Sequence, residues 1–292
     1  MWLKTLPVVF RPLEGKTSRR AARYDIVLIV AAIVDSIERK EAYRSLGIQL
    51  VEIYPLLPND SPTLFSLLGI IGWIKKYAES FNVLVEGYGG EKLLREAYRI
   101  VKGSWSWNSI IRVANELQSP LHLRSLVHIA KLAEAGIDLR EEVEKHLEAA
   151  FTGGDAYRSS LLEHSIDIVL QLSIGDECIR EVYEYIGSRR NEPRRSLCRA
   201  IVEVARKLDY MKAGAVKTIA VDTGSESKAK VYLGCRLLLR DDECWPEARS
   251  VEKPLEELLK GLGYGLAGLE LVDPEEAACI AYGVAYGYEC DA

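Results

Sequence analysis

The sequence predicts an α/β domain over residues 1–103, a mainly parallel sheet with flanking helices, followed by an all-α helical-repeat domain over residues 104–292. Three observations carry this division. From Tyr24 to Lys102, short β-branched runs alternate with stretches of helical apolar spacing, the pattern of a parallel sheet covered by helices. Beyond Gly103 and Ser104, a glycine that ends one helix and a serine that starts the next, the apolar spacing is helical throughout. Helix pairs then recur at a period of about 35 to 39 residues.

At 292 residues and 48% apolar, the chain is long enough for two cores. A net charge of -5 argues against a general binder of nucleic acid or membrane surfaces, which depends on a basic face. The apolar run Ile26 to Val34 is too short to span a bilayer, and Met1 to Thr5 lacks the apolar core of a secretory signal. A cytoplasmic protein without membrane contact is therefore expected. Three glutamines and five asparagines against 28% charged residues suit a thermophile.

In chain order, Val8 to Phe10 opens the sheet and residues 11–23 form an exposed connection. Strands follow over 25–30, 48–53 and 82–86, and helices over 38–46, 62–78 and 91–102. Ser61 is placed as the cap of the second helix, with Pro62 in its first turn. The run Val83 to Glu86, then Gly87, Tyr88, Gly89 and Gly90, then Glu91, Lys92 and Leu93, reads as strand, glycine loop and helix start. That geometry cradles anions, because loop N–H groups and the free N–H groups of the helix's first turn converge there. A plain β-loop-α corner, with glycines for close packing, is the alternative reading of the same residues.

The stretch also resembles the active-site loop of cysteine-dependent tyrosine and dual-specificity phosphatases, in which such a strand runs into His-Cys, five residues, then Arg. Here Glu86 stands at the histidine, Gly87 at the nucleophilic cysteine and Leu93 at the arginine. The resemblance covers about the first hundred residues and includes the acid loop, whose Pro-Asp-x-Ser pattern becomes Pro58-Asn59-Asp60-Ser61. Asn59 then occupies the acid position, and Asp60 serves only if the loop shifts by one. The resemblance implies a phosphatase-like fold without its chemistry: glycine offers no nucleophile, Lys92 is a point charge where a guanidinium fork is needed, and Glu86 opposes an incoming dianion.

In the second half, Val127 to Leu132 with Leu139 to Ala150, and Ile166 to Leu170 with Cys178 to Ile186, read as helix pairs turning at Gly136 and Gly175. Ile201 to Leu208 with Ala215 to Val221, and Leu233 to Leu239 with Glu247 to Leu259, read as a third and fourth pair, the last disturbed by Pro254. Stacked pairs would resemble HEAT or armadillo repeats; a compact helical bundle is the alternative. Gly261 to Gly268 reads as a connection. Asp273, Pro274 and Glu276 mark a helix start, for a closing helix that runs to about Gly287.

Arg189, Arg190, Arg194, Arg195 and Arg199 cluster at one turn, as a partner-binding patch or as a solvated turn. Four histidines, His122, His128, His146 and His164, show no metal spacing, and no cofactor motif is present. Six cysteines without a C-x-x-C pair read as buried thiols, with Cys235–Cys244 and Cys279–Cys290 as alternative bonded pairs. The functional expectation is a catalytically inactive, phosphatase-like protein that binds a protein partner or a phosphorylated ligand. Two alternatives stay open: an altered hydrolase using Asp60, Glu86 or Glu91, and a nucleic-acid-associated factor using the arginine cluster.

Overall fold

The computed structural model describes residues 8–12, 21, 23–56, 63–87, 91–117, 119–147, 156–188, 192–210, 216–224, 227–235 and 241–286. The chain forms two compact units, each discontinuous in sequence: Met1–Trp105 with Asp138–Gly154, and Ser106–Ile137 with Asp155–Ala292.

The first unit is built on four strands, β1 (Val8–Pro12), β2 (Ile26–Ala32), β3 (Leu50–Leu56) and β4 (Val83–Gly87), in the order β1-β4-β2-β3 with every pairing parallel. Parallel strands need crossover connections, and helices α1 (Ile33–Ser45) and α2 (Leu64–Ala78) supply them before α3 (Glu91–Val101) leaves the sheet. Both faces are covered. Val27, Ile29 and Leu84 share one buried cluster with Tyr43 of α1, while the alternate residues Ile26, Leu28, Val30, Val83 and Val85 are buried on the other side. Thr63 caps α2 by accepting from the Ser66 N–H, at 3.3 Å; the expected cap, Ser61, lies outside the described residues.

Helix α2 is apolar nearly all round because it is buried between layers, and α6 (Leu139–Lys145) packs on its outer side. Gly72 permits this approach: a Cβ there would sit 2.4 Å from the Val143 carbonyl oxygen. Trp73 Nε1 donates to the Leu147 carbonyl at 2.7 Å, Phe65 stacks on His146 at 4.0 Å between ring centres, and Lys75 pairs with Glu144 at 2.6 Å.

The second unit contains α4 (Trp107–Glu116), α5 (Pro120–Glu134), α7 (Ala156–Gln171), α8 (Asp176–Ser188) and α9 (Ser196–Tyr210). It continues with β5 (Val216–Asp222), β6 (Lys228–Cys235), α10 (Asp241–Gly261), β7 (Gly265–Val272) and α11 (Pro274–Ala278). It is not all-α. β5 pairs antiparallel with β6, and β6 parallel with β7, as a three-stranded sheet. Ala215 to Val221 and Leu233 to Leu239 were expected to be helical. The strand β5 and, up to Cys235, the strand β6 stand there instead, because burial of Val216, Thr218, Ile219, Ala220 and Val221 on both faces hides the period of two. Gly261 to Gly268, expected to be a connection, contributes the start of β7.

The expected repeat is reduced accordingly. α7 and α8 form a pair as spaced, but the partner expected for α5 is α6, which belongs to the first unit, and the partner expected for α9 is a strand. The turn before α8 uses Ser173, at φ 51°, rather than Gly175. α10 runs unbroken through Pro254. Asp273 does cap α11, accepting from the Glu275 N–H at 2.8 Å, but the α-helix ends at Ala278 and continues as a π-helical turn (Cys279–Gly283) and a 3-10 turn (Val284–Tyr286). No helix among the described residues is long and apolar enough to cross a membrane.

Candidate functional site

The end of β4 is the first candidate. Strand β4 lies between β1 and β2, so its carboxyl end opens near the middle of a parallel sheet, where ligands of such sheets bind. All five β4 residues are buried, Glu86 at 3% exposure. Gly87 has room for a side chain: an added Cβ would meet only ordinary contacts, Val30 O at 3.6 Å, Leu94 Cδ1 at 3.7 Å and Glu91 N at 3.8 Å. Leu93 is a core residue at 1% exposure. Glu91 opens α3 and is held by Arg95 at 2.6 Å, one helical turn on. Lys92 is exposed on the same turn. Tyr88, Gly89, Gly90, Asn59 and Asp60 lie outside the described residues.

Two buried polar atoms under this strand end are unsatisfied. Glu86 Oε2 and the Tyr43 hydroxyl have no hydrogen-bond partner among the described residues. Burial pushes the Tyr43 hydroxyl well above the ordinary phenol range, and the neighbouring Glu86 carboxylate pushes the same way.

At the arginine cluster, the structure binds Arg195 into the fold. Its Nε donates to Glu181 Oε1 at 2.9 Å, its Nη1 to Glu177 Oε2 at 2.8 Å, and its backbone N–H to Glu181 Oε2 at 3.2 Å. Burial would raise the Glu181 carboxyl, yet the Arg195 backbone N–H and guanidinium hold it below the usual range. The Cys178–Cys198 disulfide ties the same two helices, α8 and α9, together. Arg194 and Arg199 are exposed, and Arg189 and Arg190 lie outside the described residues. The cysteines depart from the free-thiol reading: Cys235 and Cys279 are disulfide-bonded as well.

The densest polar constellation was not foreseen. In the second unit, Arg124 and His128 of α5 face Glu163, His164 and Asp167 of α7, with Tyr282 from the chain's last turns closing the group. Asp167 is 0% exposed. Its carboxylate receives Arg124 Nε at 3.2 and 3.1 Å, Arg124 Nη2 at 2.8 Å, His128 Nε2 at 2.7 Å, the Tyr282 hydroxyl, and Thr218 Oγ1 at 3.5 Å. Arg124 Nη1 reaches Glu163 Oε2 at 3.2 Å, and Ser159 donates to Glu163 Oε1 at 2.9 Å. His164 Nδ1 stands 3.9 Å from Asp167 Oδ2, beyond hydrogen-bond reach, and neither ring nitrogen finds a partner among the described residues.

Charge settles this group's role. Burial alone would raise Asp167, but Arg124 and His128 outweigh it and hold the carboxyl well below its usual range. Burial lowers His128 below an ordinary histidine, and Arg124 adds to that, so its ring is neutral near pH 7. Burial, then Asp167, pushes Tyr282 well above an ordinary phenol. A carboxylate saturated with donors and closed to water has no lone pair left for a substrate, so the cluster acts as a polar clamp joining α5, α7 and the terminal turns. A trace is legible in sequence: Arg124 and His128, and Glu163 and Asp167, are each one turn apart on otherwise apolar helices. No group of three or more potential metal ligands occurs among the described residues.

Compared with known proteins, the chain matches no protein-family model, no curated protein and no solved structure.

Proposed function

We propose that this chain is a non-catalytic, phosphatase-like binding protein that holds a phosphate-bearing ligand or partner at the carboxyl end of β4 and does not cleave it. The single observation that carries the reading is at Gly87 and Leu93. Gly87, aligned with the thiolate of the resembled family, ends the strand without a side chain, and Leu93, aligned with that family's phosphate-gripping arginine, is sealed in the core at 1% exposure. With neither nucleophile nor guanidinium fork, phosphoryl transfer of the family's kind has no agent, while a sheet end followed by a helix start still offers N–H donors to an anion. The exposed Arg194 and Arg199 give a protein or nucleic-acid partner a secondary point of attachment.

The test combines binding with turnover. Inorganic phosphate at 100 times its dissociation constant should stabilise the full chain by about 2.7 kcal/mol, read as a rise in melting temperature. Hydrolysis of an aryl phosphate should stay at the level of buffer alone. Robust turnover that Glu86→Gln or Asp60→Asn abolishes would establish the altered-hydrolase reading in its place. Absence of any shift at millimolar phosphate would remove the ligand-binding reading.

A further inference from the structure

The sheet of the second unit has two edges, and the chain closes one of them. Along β5, the Gln171 side chain at the end of α7 stands in for a strand: its Nε2 donates to the Ile219 carbonyl at 2.9 Å, and its Oε1 accepts the Val221 N–H at 2.6 Å. Along β7 nothing does the same. The strand runs for eight residues, Gly265–Val272, and pairs with β6 on one side only; among the described residues no hydrogen bond reaches its other side. Such an edge offers a row of free N–H and C=O groups to another strand. Edges are commonly blunted by proline, by lysine or by a short length. β7 has no proline and no lysine, and its one bulge, at Ala267, leaves Gly268 to Val272 in regular register with β6.

The side chains of β7 are open as well. Leu269 lies in register with Val231, and Leu271 with Leu233. Val231 and Leu233 are 0% exposed, whereas every residue of β7 is at least partly exposed. Residues in register share a face, so the apolar face that is sealed on β6 is unfinished on β7. On the opposite face Glu270 pairs with Lys230 at 2.9 Å, and both side chains are exposed.

We propose that β7 pairs antiparallel with β7 of a second copy of this chain, about a two-fold axis at Leu269, so that two three-stranded sheets join into one. A register centred on Glu270 would set two carboxylates against each other. Centred on Leu269, the leucines of the two copies meet on the unfinished apolar face, and Glu270 of each chain faces Gly268 of the other. Gly268 has no side chain and lies in register with Lys230. Each Glu270 carboxylate therefore approaches the second copy's Lys230 across two strand spacings, about 10 Å between backbones and within reach of two extended side chains. An unrelated extended peptide would gain the backbone hydrogen bonds without this match of charge, which is why the occupant is a second copy. The pairing uses no residue of the β4 site and goes beyond the ligand-binding reading.

The experiment is sedimentation equilibrium of the full chain at pH 7, from about 1 to 200 µM. The natural chain should approach twice the mass of a single chain at the upper concentrations. Leu269→Lys alone and Leu269→Glu alone should each weaken association by about tenfold or more, because like charges then meet at the two-fold axis. An equimolar mixture of the two variants should recover association, because opposite charges then meet there. Glu270→Lys, at an exposed side chain, should also weaken association by about tenfold, since it sets lysine against lysine within and between the copies. Melting curves establish that each variant is folded, and if either Leu269 variant is not, Glu270→Lys decides the matter. A natural chain that stays monomeric throughout the range would overturn the proposal. Association unchanged in Glu270→Lys would do the same, and so would a mixture of folded Leu269 variants that associates no better than each alone.

Discussion

Replacing Asp167 with asparagine should cost the second unit about 3 to 5 kcal/mol, the cost of breaking a buried ion pair by removing one partner. The magnitude follows from the surroundings. Asp167 is 0% exposed and Arg124 6%, and Arg124 would keep its charge while the carboxylate it holds at 2.8 to 3.2 Å becomes a neutral amide with one accepting oxygen. The asparagine NH2 would also place a donor against donors. By contrast, the Lys75–Glu144 pair has Glu144 at 63% side-chain exposure, so Glu144→Gln should cost no more than about 1 kcal/mol. Urea unfolding followed by circular dichroism measures both, at pH 7 and with equal slopes required for the comparison. The double replacement Arg124→Met with Asp167→Leu should cost less than the sum of the two single replacements, because the two residues are direct partners. A loss below about 1 kcal/mol in Asp167→Asn would refute the clamp, since a closed, saturated carboxylate has to cost more than that.

Four further outcomes follow from the same structure. Lowering the pH should weaken the second unit below about 6.5, because burial depresses His128 and His122 and the unfolded chain then binds protons that the folded chain refuses. This contribution is complete above the unfolded value and is lost as pH falls toward the folded values, while Asp167, itself held low, stays ionised across that window. The urea midpoint measured from pH 7.5 to 5.5 should therefore decline, and a flat profile would contradict it. Gly87→Ala should leave stability within about 1 kcal/mol, since its Cβ meets nothing closer than 3.6 Å, whereas Gly72→Ala should cost roughly 1 to 3 kcal/mol by driving a methyl into the Val143 carbonyl; melting curves of both separate the cases. Gly87→Cys combined with Leu93→Arg should destabilise the first unit by several kcal/mol without gaining aryl-phosphate turnover, as it buries a guanidinium in a core position. Cys178→Ser with Cys198→Ser should cost about 3 kcal/mol for the loop of 20 residues that the disulfide closes, read as a lower melting temperature than that of the natural chain under the same non-reducing conditions.

The first unit was legible because its elements are locally consistent. Apolar runs such as Ile26 to Val30 and Val83 to Val85 are short and β-branched, glycines punctuate them, and the intervening helices have the correct period, so each observed boundary in the sheet falls near its expected one. The second sheet was not legible. β5 is buried on both faces and so shows no alternation, and β7 carries glycines that read as turns although they lie in a strand beside a register shift. At the candidate site, spacing in the sequence placed Glu86 and Gly87 at a strand end and Leu93 in the helix after it, and the structure has them there. Tyr43 comes from another element with no motif linking it, and only helix docking brings it to Glu86.

By itself, the sequence determined which side chains stand at the end of β4 and what each offers, because the identity of a side chain fixes its chemistry: Gly87 has no nucleophile and Leu93 no charge. It also determined the order of elements in the first unit, through periodicity that each segment carries within itself. Tertiary structure decided which distant residues share a burial site. The return of residues 138–147 to pack on α2, and the convergence of Arg124, His128, Glu163, Asp167 and Tyr282, are settled by close packing and by the need of buried charges for partners, and neither is written in any single stretch of chain.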